Sequence, residues 1–289
     1  MGFPHILHAP AKVNLLLRVT GKRADGFHEL VTLFHPVDSV SDGIRADLES
    51  SEGITLACNA PGVPCDESNL LCKAAAAFSK KAGLTPSWHF DLEKKIPAAA
   101  GMGGGSSDAG TVLRFLAEQF PKVSEEELKS LACSLGADVP FFLSPCDAVA
   151  RGIGEKLELL EKLPVPPMLA VFPNFPVSAA WAYRHLRKIT PQEQAEEELA
   201  ELAGSLRQKD FRRAASLCAN DLEEALFDKF PLLVQLRKTL LEQGALCVHV
   251  SGSGPTLFAL FEESTSRKHA AEVLGSPENL EAGFNIMEC

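Results

Sequence analysis

Residues 97–110 read Pro-Ala-Ala-Ala-Gly-Met-Gly-Gly-Gly-Ser-Ser-Asp-Ala-Gly, with five glycines among small residues. Ahead of them runs Trp88-His89-Phe90-Asp91-Leu92-Glu93, alternating as a strand does. Behind them Val112, Leu113, Leu116 and Ala117 fall at helical spacing. A strand, a glycine loop and a helix N-terminus together make a phosphate cradle. The glycines leave consecutive N–H groups uncovered, and the first helical turn adds roughly half a unit of positive dipole charge. Neither standard phosphate signature fits. A Walker loop ends in Gly-Lys-Ser/Thr, whereas Gly105 is followed by Ser106 and Ser107, and the third glycine of the dinucleotide fingerprint would fall at 106, a serine. A hinge or tight turn is the plainer reading, but the flanking strand and helix favour the cradle.

The chain of 289 residues has room for two medium domains. Its texture changes near Pro164, Pro166 and Pro167, so two α+β domains are expected, residues 1–160 and 161–289. Hydrophobic and charged contents of 46% and 23% are those of an ordinary soluble globular protein. A net charge of −10 argues against nucleic acid as a partner. An anionic substrate must therefore be met by a local cluster of Lys or Arg. The eight cysteines contain no Cys-x-x-Cys pair, which excludes the common zinc and redox motifs and suits small buried thiols in a reducing compartment. The first residues lack a secretory apolar core, Ile6 stands where a myristoylation signal needs Ser or Thr, and no apolar run approaches ~20 residues. A cytoplasmic protein without a membrane partner is expected.

Along the chain, residues 12–19 predict a strand with Val13, Leu15, Leu17 and Val19 on one face and Lys12, Asn14, Leu16 and Arg18 on the other. A turn at 21–26 makes a hairpin with a strand at 27–34. Further strands are expected at 53–58, 168–172, 245–250, 256–261 and 284–287. Ser68 is the expected N-cap of a helix over 70–82 that Gly83 ends. Ser124 with Glu127 predicts a capping box, and Gly136 stops that helix after Leu135. Later helices are expected from Ser178, from a cap at Thr190 with Glu193, over 210–219, over 231–243 and over 264–274.

Each residue able to carry chemistry also has a plainer role. Lys12 is either a solvated lysine on a strand or a fixed positive charge. Asp138 is either a cap before Pro140 or a general base at the mouth of the apolar run that follows. Gly252-Ser253-Gly254 is a hairpin bend or a loop that closes on a ligand. Phe27-His28 is a core pair, or an aromatic face and hydrogen-bonding ring suited to a nucleobase. His249 reads as a strand histidine. From pattern alone, this is a two-domain enzyme that binds phosphate.

Pro10-Ala11-Lys12-Val13-Asn14, the loop Gly101–Ser107 and Gly252-Ser253-Gly254 resemble, in order and spacing, the three motifs of the GHMP small-molecule kinases. The stretches Gly21-Lys-Arg-Ala-Asp-Gly-Phe-His28 and Leu135-Gly-Ala-Asp-Val-Pro140 resemble the branch that phosphorylates the 2-hydroxyl of 4-diphosphocytidyl-2-C-methyl-D-erythritol, in the non-mevalonate isoprenoid pathway. The resemblance covers nearly the whole chain. It implies an N-terminal domain with a left-handed β-α-β crossover and a C-terminal ferredoxin-like domain. ATP with Mg²⁺ would lie along Pro97, Ala98, Ala99, Ala100, Gly101, Met102, Gly103, Gly104, Gly105, Ser106 and Ser107, with Asn69 and Lys94 near the adenine. Asp138 would take the hydroxyl proton, and Lys12 would stabilise that aspartate and the developing charge. Phe27 would stack on the cytosine, His28 would hydrogen-bond it, and Tyr183 would stand as a second stacking ring. Asn14, Gly252, Ser253 and Gly254 complete the acceptor side, and Lys22, Arg23, Lys94 and Lys95 the local positive field. Asp108 stands where asparagine is frequent in the family, either toward Mg²⁺ or favouring the helix N-terminus, and residues 173–177 match no substrate motif. The alternatives are a relative with another acceptor (homoserine or mevalonate type, or a diphosphomevalonate decarboxylase) and a non-catalytic ligand-binding member of the fold.

Overall fold

The computed structural model describes residues 4–48, 53–275 and 284–289. The chain divides into two units. One takes the chain up to residue 11, then 40–98 and 103–145; the other takes 12–39, 99–102 and 146 onward. Strands β1 (His5–Lys22) and β2 (His28–Asp47) are long enough to contribute to both. Residues 1–3, part of the segment read above for a leader, lie outside the described residues.

In the first unit, the end of β2 pairs antiparallel with β4 (Ser87–Glu93), and β4 pairs parallel with β3 (Gly53–Cys58). A parallel pair needs a crossover, here α1 (Leu70–Ala82). Along β4 the expected alternation holds, with Trp88, Phe90 and Leu92 buried and Glu93 exposed. That face packs with Leu71 and Phe78 of α1 and with Val112 and Leu116 of α2 (Gly104–Gln119) in one apolar core. Gly83 ends α1 in the left-handed conformation (φ 64°), and Ser124 and Glu127 form the capping box of α3 (Glu125–Leu135), both as the sequence predicts. The N-cap of α1 is a correction. Asn69, not Ser68, accepts from the Leu71 N–H at 2.9 Å, because Ser68 is already drawn to the carboxylate of Asp66. Gly110 of α2 seats a 3₁₀ helix at Val139–Leu143. A Cβ there would stand 2.6 Å from Phe142 Cβ and 3.0 Å from the Val139 carbonyl.

In the second unit, the start of β2 pairs antiparallel with β5 (Ala148–Gly152), which pairs with β6 (Lys156–Leu159). β8 (Ala219–Asn220) lies parallel to β1. A separate antiparallel sheet runs in the order β11 (Phe284–Glu288), β7 (Met168–Pro173), β10 (Leu257–Leu260), β9 (Cys247–Val250). Its apolar side chains, Leu169, Val171, Val248, Val250 and Leu257, share a core with Leu236 and Leu240 of α8 (Pro231–Glu242) and Leu274 of α9 (Ser264–Leu274). The remaining helices are α4 (Ala179–Arg184), α5 (Gln192–Arg207), α6 (Phe211–Leu217) and α7 (Glu223–Lys229). A second correction falls at α5. Pro191 holds its N-cap position, and the Thr190 hydroxyl instead donates to Asp221 at 2.8 Å. That buried carboxylate also accepts from Arg18 and from the Val19 N–H, so it draws Thr190 into the core.

Candidate active site

Lys12 is not a solvated lysine; it is 4% exposed. A buried ammonium must be paired. Here Nζ donates to Asn14 Oδ1 at 2.6 Å and stands 4.7 Å from the Phe34 ring centre, on its negative face. The orientation of Asn14 is set in turn. Its amide donates to Thr32 Oγ1 at 2.8 Å, and the threonine hydroxyl donates to the Leu16 carbonyl at 2.6 Å. Strands β1 and β2 therefore present one fixed positive charge through a chain of buried hydrogen bonds.

The same unit holds the middle of the glycine loop. The Lys12 N–H donates to the Met102 carbonyl at 3.0 Å and the Thr256 N–H to the Ala100 carbonyl at 3.2 Å. Ser251 Oγ donates to the Gly101 carbonyl at 2.9 Å. Gly101 has φ 79°, and a Cβ on it would lie 2.2 Å from the Ser251 carbonyl oxygen. The turn at 252–254 is thus more than a hairpin bend, since it meets Gly101 backbone to backbone. A Cβ on Gly252 would approach the Gly101 carbonyl at 3.0 Å and Asn14 Oδ1 at 3.4 Å. Asn220, at the end of β8, holds the turn by donating to the Val250 and Gly252 carbonyls at 2.8 and 2.7 Å. Lys12, Asn14, Ala100, Gly101, Met102, Gly252 and Gly254 are brought together, with Ser253 at the crest of the turn.

Phe27 is 58% exposed, which excludes the core reading. His28 stacks on Tyr183, with ring centres 5.3 Å apart and planes within 19°. Burial first, and Lys22 second, push the His28 pKa down, so the ring is neutral near pH 7 and offers one donor and one acceptor.

In the first unit, α2 opens at Gly104, and its N-cap position is Gly103 (φ 74°), which has no side chain to cover the first-turn N–H groups. Around a Cβ added to Gly105 nothing lies within 4 Å among the described residues. Ser107 is turned inward, donating to the Pro10 carbonyl at 2.6 Å. Asn69 spends its side-chain amide locally, the oxygen accepting from the Leu71 N–H and the nitrogen donating to the Pro64 carbonyl. Asp138 precedes the 3₁₀ helix without capping it by a side-chain hydrogen bond, so the cap reading does not hold.

Lys94 is enclosed. Its ammonium, 7% exposed, lies between Asp42 and Asp108, 2.8 Å from the latter, so its charge is already engaged and adds little to an open positive field. Asp42 is anchored by the N–H groups of Lys95 and Ile96 at 2.6 and 2.8 Å. Sequence reading missed Asp42, 52 residues upstream of Lys94; it is one of four acidic residues in β2, and no pattern sets it apart from the other three. Two carboxylates share one ammonium, and Asp108 Oδ1 is buried with no hydrogen-bond partner among the described residues. Burial lifts the Asp108 pKa to about 7, with Asp42 adding and Lys94 opposing. A carboxyl whose folded pKa lies above its unfolded value of about 4 stabilises the fold at low pH and loses that contribution as pH rises through about 7. Asp108→Asn should therefore flatten the fall in melting temperature between pH 4.5 and 7.5. A variant whose melting curves track the wild type across that window would show Asp108 to be ionised throughout.

Residues 69–145 match the N-terminal domain model of the GHMP kinases, and residues 197–278 match the C-terminal domain model. The chain belongs to the GHMP kinases, and so is a phosphotransferase with an alcohol acceptor and ATP as co-substrate. Within that family it is 39% identical over 272 residues to the 4-diphosphocytidyl-2-C-methyl-D-erythritol kinase of Geobacter sulfurreducens, covering 93% of this chain and 94% of that one. To the kinase of the same name from Citrifermentans bemidjiense it is 41% identical over 269 residues, 92% of each chain. A crystal structure of 4-(cytidine 5'-diphospho)-2C-methyl-D-erythritol kinase matches with a TM-score of 0.80 and 35% identity over 98% of both chains. Homoserine kinase from Cytophaga hutchinsonii, 20% identical with a TM-score of 0.77 over 100% of this chain and 96% of that one, shares the fold. Among the described residues no helix is long and apolar enough to cross a membrane.

Proposed function

We propose that this chain transfers the γ-phosphoryl group of ATP to the 2-hydroxyl of 4-diphosphocytidyl-2-C-methyl-D-erythritol, in the cytoplasm, as a step of non-mevalonate isoprenoid synthesis. The observation that carries the mechanism is the buried ammonium of Lys12, hydrogen-bonded to the same Asn14 oxygen that a Cβ on Gly252 would approach at 3.4 Å. Phosphoryl transfer asks the protein mainly to position groups and stabilise charge. ATP lies along residues 97–107, its phosphates at the uncovered N-terminus of α2, with Asn69 and Lys94 toward the adenine. Asp138 accepts the hydroxyl proton, and Lys12 holds the charge that develops on the acceptor oxygen. Phe27 stacks on the cytosine, while His28, backed by Tyr183, hydrogen-bonds its edge; Asn14 and residues 252–254 line the acceptor. Mg²⁺ would be held by the ATP phosphates, keeping several of its waters, and would supply charge neutralisation there. Among the described residues no group of three or more His, Cys, Asp or Glu could cage it, and the proton and charge steps rest on the side chains named here. A functional division near residue 160 falls between the two segments that match family models.

Incubation with ATP, Mg²⁺ and the cytidine diphosphate substrate, followed by phosphorus NMR, should show a new phosphate monoester. Phe27→Ala should raise KM for that substrate about 5- to 150-fold, the worth of stacking one base, and leave KM for ATP unchanged. Faster turnover of homoserine or mevalonate would reassign the acceptor. Nucleotide binding with no turnover on any alcohol would reinstate the non-catalytic reading.

A further inference from the structure

Helix α4 carries Tyr183, and its own sequence does not explain how it is held. It has six residues, of which only Ala182 is buried. A helix that short is not stable in water by itself, so contacts made by its side chains must fix it. Trp181 supplies a connected set of them. The His185 ring stacks on the Trp181 ring, with centres 4.4 Å apart and planes within 23°, and His185 Nδ1 hydrogen-bonds the Trp181 carbonyl at 2.9 Å. The Lys229 ammonium, from the last residue of α7, stands 3.8 Å from the Trp181 ring centre, a cation on an aromatic ring. Phe230, which joins α7 to α8, meets Trp181 edge-on at 6.0 Å and stacks on Phe175 at 4.7 Å. Phe175, Trp181 and Phe230 all pack against the apolar core of the second unit. Two residues past Trp181, about 200° round the helix, Tyr183 stacks on His28. One short helix therefore carries two rings on different faces, one against the junction of α7 and α8 and one against His28.

We propose that Trp181 is a positioning residue for the acceptor: by anchoring α4 to Lys229 and Phe230 it holds Tyr183 against His28 and so shapes the cytosine end of the site. The inference rests on the reading of His28 and Tyr183 as that end. Trp181 acts through Tyr183. Without the indole, α4 is free to shift and Tyr183 to leave its stack, and the acceptor must then order both as it binds, which weakens its binding. ATP and the transfer step are served by the glycine loop, Lys12 and Asp138, none of which lies on α4. Loss of Trp181 therefore falls on KM for the acceptor and spares kcat and KM for ATP.

The test is steady-state kinetics on the full chain with ATP, Mg²⁺ and the cytidine diphosphate substrate, each variant first checked for folding by circular dichroism. Trp181→Leu should raise KM for that substrate about 2- to 12-fold, the worth of one aromatic pair, with kcat and KM for ATP near wild type. Trp181→Phe should restore most of the loss. Tyr183→Leu should raise the same KM, and adding Trp181→Leu to it should raise it little further, because the two rings act in series. An unchanged acceptor KM in folded Trp181→Leu, or a double variant whose KM is the product of the two single effects, would overturn the role of Trp181 and leave the acceptor reading standing. Tyr183→Leu without effect on that KM would overturn the acceptor reading of Tyr183, and the proposal with it. If Trp181→Leu does not fold, Lys229→Met decides. It removes the cation from the Trp181 ring at an exposed position and should raise the acceptor KM about twofold; no change there would equally overturn the proposal.

Discussion

Asp138→Asn should lower kcat by about 10²- to 10⁴-fold, the usual contribution of a positioned general base, and leave the melting temperature and ATP affinity close to wild type. The second half of that expectation comes from the structure. Asparagine keeps the size and shape of the aspartate, and the 3₁₀ helix that follows is seated by Gly110 against α2. Lys12→Met makes a companion test. The methionine keeps an apolar stem over Phe34 but removes the donor to Asn14. Losing one preorganised charge at the reacting oxygen costs about 10²–10³ in kcat. The two substitutions act on one step, so their combined loss should fall well short of the product of the single losses. Steady-state kinetics on the two single variants and the double variant read this directly. Near-normal turnover in either single variant would remove that residue from the mechanism.

The second large effect is at Gly101. An alanine there needs φ 79°, which L residues rarely adopt, and sets its Cβ 2.2 Å from the Ser251 carbonyl oxygen and 2.9 Å from the Gly254 N–H nitrogen. Both are backbone atoms and have no rotamer by which to yield. Gly101→Ala should cost about 3 kcal/mol or more, at the upper end of overpacking, and lower the melting temperature by several degrees. Gly105→Ala separates fold from binding. Its Cβ meets nothing among the described residues, and alanine suits a helix better than glycine. That variant should keep or slightly raise its stability while its KM for ATP rises, because the added methyl occupies the space proposed for phosphate. Equal thermal behaviour of the two variants would refute the close contact at Gly101.

How much of this was legible in the sequence varies with how local the cause is. Gly83, the Ser124–Glu127 box and the β4 alternation act through neighbours a few residues away, and each was read correctly. The cap of α1 slipped by one residue because Asp66 competes for Ser68, a choice settled by turn geometry. Thr190 was misread because its partner, Asp221, lies 31 residues downstream. β5, with its small residues Ala148, Val149 and Ala150, shows no period, and it is a strand only because β2 provides a register. At the site, motif spacing pointed to Lys12 but not to its burial, which depends on Asn14, Thr32 and Phe34 acting together. The enclosure of Lys94 was equally hidden, since Asp42 and Asp108 come from a distant strand and a helix.

Phe27 stands apart from all of these. It is exposed, its N–H rests on Asp25, and its ring is not part of either apolar core described above. For directed evolution, this makes the cytosine end of the acceptor region the economical place to randomise. Most members of a saturation library at Phe27 should remain folded, so a selection there samples substrate preference and little else, whereas the same library at Gly101 would mostly return unfolded chains.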